Sequence, residues 1–286
     1  MIYNDNDIND DEIRIISPTS HPQHNKRRRR VMVWTCIVAV ALLIAIISLV
    51  FIFSGNHMDE SAIGPSEPSA PVSSASATSD TTKVSYTECN DTVVNDVRLS
   101  IFTPVNAVPT LEVGNDVTAD SSAVLIAQAA DIRADNGMIV GAFVREGKLL
   151  SKGERKAGFC SIIDGHITLG VADATPMFEQ ALTSDGYFFR QYPLVVAGQV
   201  VENKPLGKSI RKALAETGNA TCVIVSNNRV SFHDFSQALA DMGIRNAIYL
   251  VGGNSYGSYK TVNGERMTIG KLWDENIKNV NYIVWR

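Results

Sequence analysis

The distribution of apolar and charged positions divides the chain into three regions. Residues 31–53 carry no charged side chain, and a helix needs about 20 such residues to cross a bilayer. Residues 54–83 are rich in Ser, Ala, Pro and Thr, a composition that cannot bury a core and predicts a flexible linker. Between residues 84 and 286, short apolar runs recur with turn residues between them. This pattern predicts one globular domain.

Most apolar runs of this domain are short and bounded by Gly, Asn or Asp, which is typical of strands. The dipeptide Asp164-Gly165 predicts a hairpin turn between two of them. Residues 211–216 favour a helix by propensity, although a resemblance described below makes them a strand. The predicted strands are 97–102, 123–127, 138–144, 159–163, 166–171, 187–192, 194–196, 221–226, 247–251, 269–272 and 282–285.

The clearest predicted helix covers residues 232–242. Ser231 is placed to cap it, Asp234 completes a variant of the capping box, and Gly243 ends it. A shorter helix is predicted over residues 176–182, which begin with proline. Strand, helix and strand follow one another at 221–251, which suggests a crossover connection. The predicted fold class is therefore α+β, a mixed sheet with few helices, preceded by one transmembrane helix.

The first 30 residues predict how the chain meets the membrane. Residues 1–25 are polar and acidic and predict a disordered tail, while residues 26–30 are all Lys or Arg. Basic residues beside a span stay cytoplasmic, so residues 1–30 form a cytoplasmic tail and 31–53 an uncleaved signal anchor in the lipid bilayer. The domain is then periplasmic or extracellular. The net charge of −4 argues against nucleic acid as a partner.

Cysteine spacing and the common ligand motifs exclude several classes of site. Cys36 lies in the apolar run, and Cys89, Cys160 and Cys222 contain no C-x-x-C pair, which excludes the common zinc frameworks. Cys160 and Cys222 are either an ordinary buried pair of thiols or a bridge in an exported domain. The chain has no G-x-G-x-x-G, P-loop or H-E-x-x-H motif. No metal site is predicted, and the cofactor stays open.

The strand at 247–251 runs into a turn of two glycines, an amide and a hydroxyl. Residues 253–257 match G-x-S-x-G, the nucleophile elbow of α/β-hydrolases. That elbow must open a helix, which the residues after 257 do not predict. It also needs a histidine after the serine, and all five histidines precede Ser255. A serine hydrolase is therefore disfavoured.

Four blocks of this region resemble the phosphodiester glycosidase family. Residues 191–198 are similar to its Gln-x-Gly-Pro-x-Leu-Val-x-x-Gly segment. Residues 211–214 look like its Arg-Thr-Ala-Ile block, which is a strand in the family. Residues 230–255 resemble its last helix, strand and glycine turn, and residues 135–138 give a weaker match to Asn-Gly-Gly-Phe-Phe. The resemblance covers residues 95–286 and implies a divergent member of bacterial type.

The resemblance also implies a site. Because a phosphate ester is a weakly basic leaving group, a cation for the phosphate matters more than a general acid, and Arg binds phosphate bidentately. Val251 stands where the family keeps an aspartate. The expected catalytic residues are Arg211 for the phosphate, Asp135 as the base and Asn136 for sugar hydroxyls. The expected substrate-binding residues are Gly252 and Gly253 through their N–H groups, with Asn254, Ser255 and Gln191.

Two functions follow as hypotheses. The first is a membrane-anchored extracytoplasmic hydrolase that acts on a sugar phosphodiester or a related envelope glycan. The second is a non-catalytic module on the same fold that binds a glycan or a partner, because Val251 removes a carboxylate. The two differ in whether another carboxylate lies close to Arg211.

Overall fold

The computed structural model describes residues 14–15, 83–153, 156–218, 220–272 and 279–286. The predicted span 31–53 and most of the predicted linker lie outside these residues. Within the described residues, no helix is both long enough and apolar enough to cross a membrane.

The described chain is built from strands, two α-helices and one short 3-10 helix. Helix α1 is Pro176–Thr183 and helix α2 is Phe232–Asp241, while the 3-10 helix is Asn115–Ala119. The strands are β1 (Arg14–Ile15), β2 (Tyr86–Val94), β3 (Val97–Val105), β4 (Pro109–Val113), β5 (Leu125–Gln128), β6 (Phe143–Arg145), β7 (Lys148–Ser151), β8 (Gly158–Ile163), β9 (His166–Val171), β10 (Tyr187–Gln191), β11 (Pro193–Val196), β12 (Gln199–Glu202), β13 (Lys212–Thr217), β14 (Ala220–Ser226), β15 (Ala247–Leu250), β16 (Gly257–Lys260), β17 (Arg266–Ile269) and β18 (Asn281–Trp285).

These strands form three sheets. The largest has eight strands in the order β1-β12-β11-β15-β13-β14-β3-β2. The two five-stranded sheets have the orders β7-β6-β10-β8-β9 and β17-β16-β5-β18-β4. Every named ladder in the described residues is antiparallel, which corrects the mixed sheet expected from the sequence. The predicted strand–helix–strand order is present: helix α2 connects β14 to β15, and both of these strands pair with β13.

Strand β13 shows tertiary pairing overriding helix propensity, as the resemblance implied. It pairs with β14 on one side and with β15 on the other, so sheet ladders satisfy its backbone groups. Side chains alternate between the faces of a strand. Arg211, just before β13, therefore points toward α2, where it lies over the ring of Phe232. Lys212 points to the opposite face and into the protein core.

Two apolar clusters pack against the opposite faces of the large sheet. The first joins all three sheets, with Leu214, Phe189 and Ile283 as members. The second fills the space between the large sheet and α2. Cys160 belongs to the first cluster and Cys222 to the second, and both are free thiols. Of the two alternatives open from the sequence, the structure therefore shows ordinary buried thiols and no bridge between them. Burial raises the pKa of both thiols.

Local sequence signals account for several elements. Asp164 and Gly165 have φ of 50° and 76° and connect β8 to β9, which confirms the predicted hairpin. Helix α2 begins and ends where the capping residues predicted. The strand expected over 138–144 is present only from Phe143, and the one expected over 269–272 ends at Ile269. The sequence interpretation missed β2, although Asn95-Asp96, with φ of 49° and 63°, marks its hairpin with β3.

Strand β1 bears on the predicted membrane topology. Arg14 and Ile15, within the segment predicted to be a disordered tail, pair antiparallel with Glu202 and Val201. If residues 31–53 cross a bilayer, residues 14–15 and 201–202 lie on opposite sides of it. One molecule therefore cannot form the ladder between β1 and β12 while its residues 31–53 cross the membrane.

Replacement of Ser231 by Ala tests whether the cap sets the start of α2. The Ser231 hydroxyl accepts a hydrogen bond from Asp234 N at 3.0 Å, and loss of such a cap costs about 1 kcal/mol. We expect urea unfolding of the purified protein to show a loss of that size. Ser231→Asn keeps an acceptor and should retain most of the stability. Equal losses in both variants would contradict the assignment.

Candidate functional site

The glycine turn after β15 is bound to the residues that precede β13. Gly252 N donates to Tyr249 Oη at 3.0 Å, and Gly253 N donates to Ile210 O at 2.7 Å. A Cβ at position 252 would lie 2.5 Å from both of these acceptor oxygens, so only glycine fits. Gly253 has a φ of 60°, which L side chains rarely adopt. The close contacts therefore require glycine at 252, and the backbone conformation favours glycine at 253.

Ser255 closes the turn on the side facing the core. Its backbone N donates to Gly252 O at 3.2 Å, and its hydroxyl donates to Val251 O. Lys212 Nζ donates to Ser255 O at 2.5 Å and to Ser255 Oγ at 2.7 Å. Ser255 is fully buried and Lys212 nearly so. The hydroxyl is thus a structural group, and strand β16 follows it, which agrees with the absence of a nucleophile elbow.

Lys212 is a buried amine whose partners are neutral. Within the part of the chain that the structure describes, its hydrogen bonds go to Ser255, and burial is the cause of its shifted pKa. Burial lowers that pKa to about 8, because the charged form loses its hydration. The charge is therefore costly at neutral pH.

Arg211 is held on the opposite face of the sheet. Its Nε donates to Val230 O at 3.3 Å and its Nη2 to Gly207 O at 2.9 Å. The guanidinium carbon lies 4.1 Å from the centroid of the Phe232 ring, a cation–π distance. The positive charge of Arg211 also acts on the Tyr249 side chain and lowers its pKa. The guanidinium therefore has a fixed orientation before any ligand binds.

Three aromatic rings connect Arg211 to the rest of the polar groups. The ring centroids of Phe232 and Tyr249 are 4.8 Å apart, and those of Tyr192 and Tyr249 are 6.5 Å apart. The pKa of Tyr249 is raised to about 12, chiefly by burial and also by the negative charge of Asp131, while Arg211 opposes the increase. Tyr249 thus responds to the charges of both a carboxylate and a guanidinium.

Lys156 and Asp131 form an ion pair next to these rings. The Lys156 side chain is 3% exposed and that of Asp131 is 31% exposed, so the carboxylate has access to solvent while the amine does not. Lys156 Nζ also donates to Gln191 Oε1 at 3.2 Å and lies 4.5 Å from the centroid of Tyr192. The backbone of Lys156 has a φ of 68°, an uncommon conformation for a residue with a side chain. Backbone strain of this kind often accompanies functional sites.

The structure places two of the expected catalytic residues in an exposed loop. Asp135 is bound by the Arg133 guanidinium at 2.9 and 2.7 Å, and this contact lowers its pKa. Asn136 Oδ1 accepts from Met138 N at 2.9 Å, which stabilises the loop itself. Among the described residues, the hydrogen bonds of both side chains are local, and none joins them to Arg211 or to the glycine turn. Their roles in catalysis stay predictions.

The expected substrate-binding groups are largely engaged within the protein. The N–H groups of Gly252 and Gly253 donate to Tyr249 and Ile210, so this arrangement does not offer them to an anion. Gln191 is fully buried, and its Oε1 accepts from Lys156 Nζ and from Tyr192 N. Asn254 is the exposed residue of the turn. Gln191 therefore supports Lys156, and Asn254 is left as the side chain of this set that can meet a ligand.

Four functional candidates were missed by sequence reasoning: Asp131, Lys156, Lys212 and Tyr249. Asp131 lies only four positions before Asp135, but spacing gave no means of choosing between these two aspartates. Lys212 carried one usable signal, because a lysine inside an otherwise apolar strand indicates an unusual buried charge. Lys156 lies in a turn-rich segment and carried no local signal.

This geometry defines the class of the protein: it is a sheet-rich domain with polar groups gathered around a glycine turn. A family model described as phosphodiester glycosidase matches residues 121–283, more than half of the chain. The chain therefore belongs to the phosphodiester glycosidase family, which confirms the resemblance stated above. No curated protein matches it.

Solved structures of similar fold have low sequence identity to this chain. A crystal structure of a hypothetical protein from Synechocystis has a TM-score of 0.50 and 14% identity, covering 70% of this chain and 62% of that chain. This likeness concerns the fold alone. The zebrafish N-acetylglucosamine-1-phosphodiester alpha-N-acetylglucosaminidase catalytic domain, auto-inhibited by its pro-peptide, has a TM-score of 0.48 and 12% identity, covering 70% of this chain and 82% of that chain.

The buried charge of Lys212 predicts a pH dependence of stability. Its pKa is about 8 in the folded protein against 10.5 when free, so the unfolded chain binds more protons between these values. The cost of burying the charge is complete below pH 8 and disappears as pH rises toward 10.5. Stability gained from this group between pH 7 and 9.5 should be about 2 kcal/mol.

Lys212→Met provides the reference for this measurement, because other groups also titrate in the range. We expect the natural protein to gain about 2 kcal/mol of unfolding free energy over Lys212→Met between pH 7 and pH 9.5, as measured by urea unfolding. A difference between the two proteins that does not change with pH would contradict a buried charged amine.

Proposed function

We propose that the chain is a membrane-anchored, extracytoplasmic hydrolase of glycosidase type that acts on a sugar phosphodiester or a related envelope glycan. One observation carries the proposal. A half-exposed carboxylate, Asp131, pairs with the buried Lys156, and three aromatic rings lead from Lys156 to the buried Arg211 beside the glycine turn. This cluster contains a carboxylate even though Val251 supplies none.

Asp131 has the exposure and setting of a group that activates water. Ordinary glycosidases use two carboxyl groups, one to protonate the leaving oxygen and one to attack or to activate water. The leaving group of a sugar phosphodiester is a phosphate ester and needs little protonation. A single carboxylate held as a base is then sufficient, and Asp131 replaces Asp135 in that proposed role.

The charge balance of the cluster suits an anionic substrate. Lys156 and Arg211 contribute two positive charges and Asp131 one negative charge, which leaves a net charge of about +1 near the reacting group. Arg has five N–H donors, and Arg211 already donates to two backbone carbonyls. Arg211 therefore attracts phosphate by its charge, with part of its hydrogen-bonding capacity used to hold its own position.

A non-catalytic glycan- or partner-binding module is the second candidate function. The observation that favours it is Val251, a half-buried apolar side chain at the turn where the family keeps an aspartate. The aromatic rings and Asn254 would then bind sugar without cleaving it. The two candidates differ in turnover and not in binding.

The decisive variant is Asp131→Asn, which keeps the size of the side chain and removes its negative charge. We expect the full-length protein in detergent to release sugar from an aryl or alkyl sugar phosphodiester, and the variant to lose about 100-fold or more in kcat. The matched control is Asp164→Asn, because Asp164 lies in an exposed hairpin turn that accepts Asn equally well.

Two outcomes would contradict the proposal or part of it. Equal turnover by the natural protein and Asp131→Asn would remove Asp131 from catalysis. Binding of the same phosphodiester without release of sugar would establish the binding module and overturn the hydrolase.

The membrane anchor rests on residues 26–30 and 31–53, and the exposed thiol of Cys89 offers a test of orientation. We expect a membrane-impermeant maleimide to label Cys89 in intact cells, because the domain is proposed to lie outside the membrane. Cys89→Ser controls for labelling at other positions. Labelling only after the cells are lysed would place the domain inside and would allow the ladder between β1 and β12.

A further inference from the structure

Three consecutive residues hold the glycine turn, and each uses a different group. Ile210 accepts from Gly253 N through its carbonyl at 2.7 Å. Arg211 lies over the ring of Phe232, which packs against Tyr249, and the Tyr249 hydroxyl accepts from Gly252 N. Lys212 donates from the opposite face of the sheet to both oxygens of Ser255. The turn is therefore fixed from both faces of the sheet by the start of β13.

Lys212 differs from the other two because packing alone does not require its amine. Its aliphatic stem is surrounded by the apolar core that Leu214 and Leu250 share. A methionine would fill a similar volume without the cost of burying a charge, and such replacements are often neutral or stabilising. What the amine adds is two donors aimed at Ser255.

The bonds of Ser255 carry the effect of Lys212 through the whole turn. The Ser255 hydroxyl receives the Lys212 amine and donates its own proton to Val251 O, while Ser255 N closes on Gly252 O. On the far side, Asn254 O accepts from Lys271 N at 2.9 Å. A series of hydrogen bonds that begins at Lys212 Nζ thus determines the position of Asn254, whose side chain is exposed.

We propose that Lys212 is the positioning residue of the glycine turn: through both oxygens of Ser255, its buried amine holds Val251 to Asn254 in the conformation that meets the substrate. The last step of this proposal rests on the proposed function of the site, whereas the hold on the turn does not. Lys212 is not a base for a Ser255 nucleophile, because both groups are buried and the hydroxyl proton is directed at Val251 O.

Hydrogen exchange of the full-length protein in detergent tests the hold on the turn without reference to activity. Lys212→Met should increase exchange at residues 251–257 by about tenfold or more, because local opening becomes easier. Exchange across the β8–β9 hairpin, which is remote in sequence and lies in another sheet, reports global unfolding and should not change. Lys148→Met, at an exposed lysine in a strand, is the matched control.

A second variant separates this mechanism from a general loss of stability. Ser255→Ala leaves the carbonyl acceptor and removes the hydroxyl, with its bonds to Lys212 Nζ and to Val251 O. Because the two substitutions share the bond between Lys212 and the hydroxyl, the double variant should loosen the turn by less than the product of the two effects. This non-additivity should hold for exchange at the turn and for kcat/KM on a sugar phosphodiester.

The outcomes separate the inference from the proposed function. If the phosphodiester is bound but not cleaved, the hydrolase fails, and the Kd of the same compound replaces kcat/KM. Unchanged exchange at the turn in Lys212→Met would overturn the proposed hold. A turn that loosens while kcat/KM and Kd both stay unchanged would overturn its role in the site.

Discussion

The contact between residues 210–212 and the turn at 252–255 is the constraint on which the rest of the site depends. It joins two neighbouring antiparallel strands at the edge of the sheet where β13 begins and β15 ends. Because consecutive side chains of a strand point to opposite faces, Arg211 and Lys212 approach the turn from different sides. A shift of register by one residue would exchange them and place the guanidinium in the apolar core.

Three of the buried cations, Lys156, Arg211 and Lys212, tolerate the low dielectric of the interior by different means, and this difference indicates different functions. Lys156 has a carboxylate partner that is open to solvent, so its charge is compensated where a ligand can arrive. Arg211 lies on an aromatic face and donates to two carbonyls, so its guanidinium is held in one orientation and its positive charge can attract a phosphate. Among the described residues, the amine of Lys212 donates to the neutral oxygens of Ser255 alone. This difference supports the proposal that the first two bind substrate and that the third holds the turn.

Sequence patterns predicted the elements whose signals are local. The capped helix α2, the Asp164-Gly165 hairpin and most central strands follow from capping, turn chemistry and apolar runs. The site followed only in part, since the resemblance marked Arg211 and the turn. Asp131, Lys156 and Tyr249 come from segments far apart in sequence, and only the three-sheet packing brings them together. No periodicity in one segment contains that information.

The G-x-S-x-G match is explained by the same packing, without a nucleophile. Gly253 is favoured by its φ of 60°, and a Cβ on Gly257 would lie 2.8 Å from Ile126 O in the neighbouring strand β5. Ser255 is the acceptor for Lys212. Each constant position of the motif thus has its own structural cause: backbone conformation, contact with a strand, or a hydrogen bond. A short motif that arises from three independent structural constraints indicates a tightly held turn, and the chemistry must come from the side chains that this turn positions.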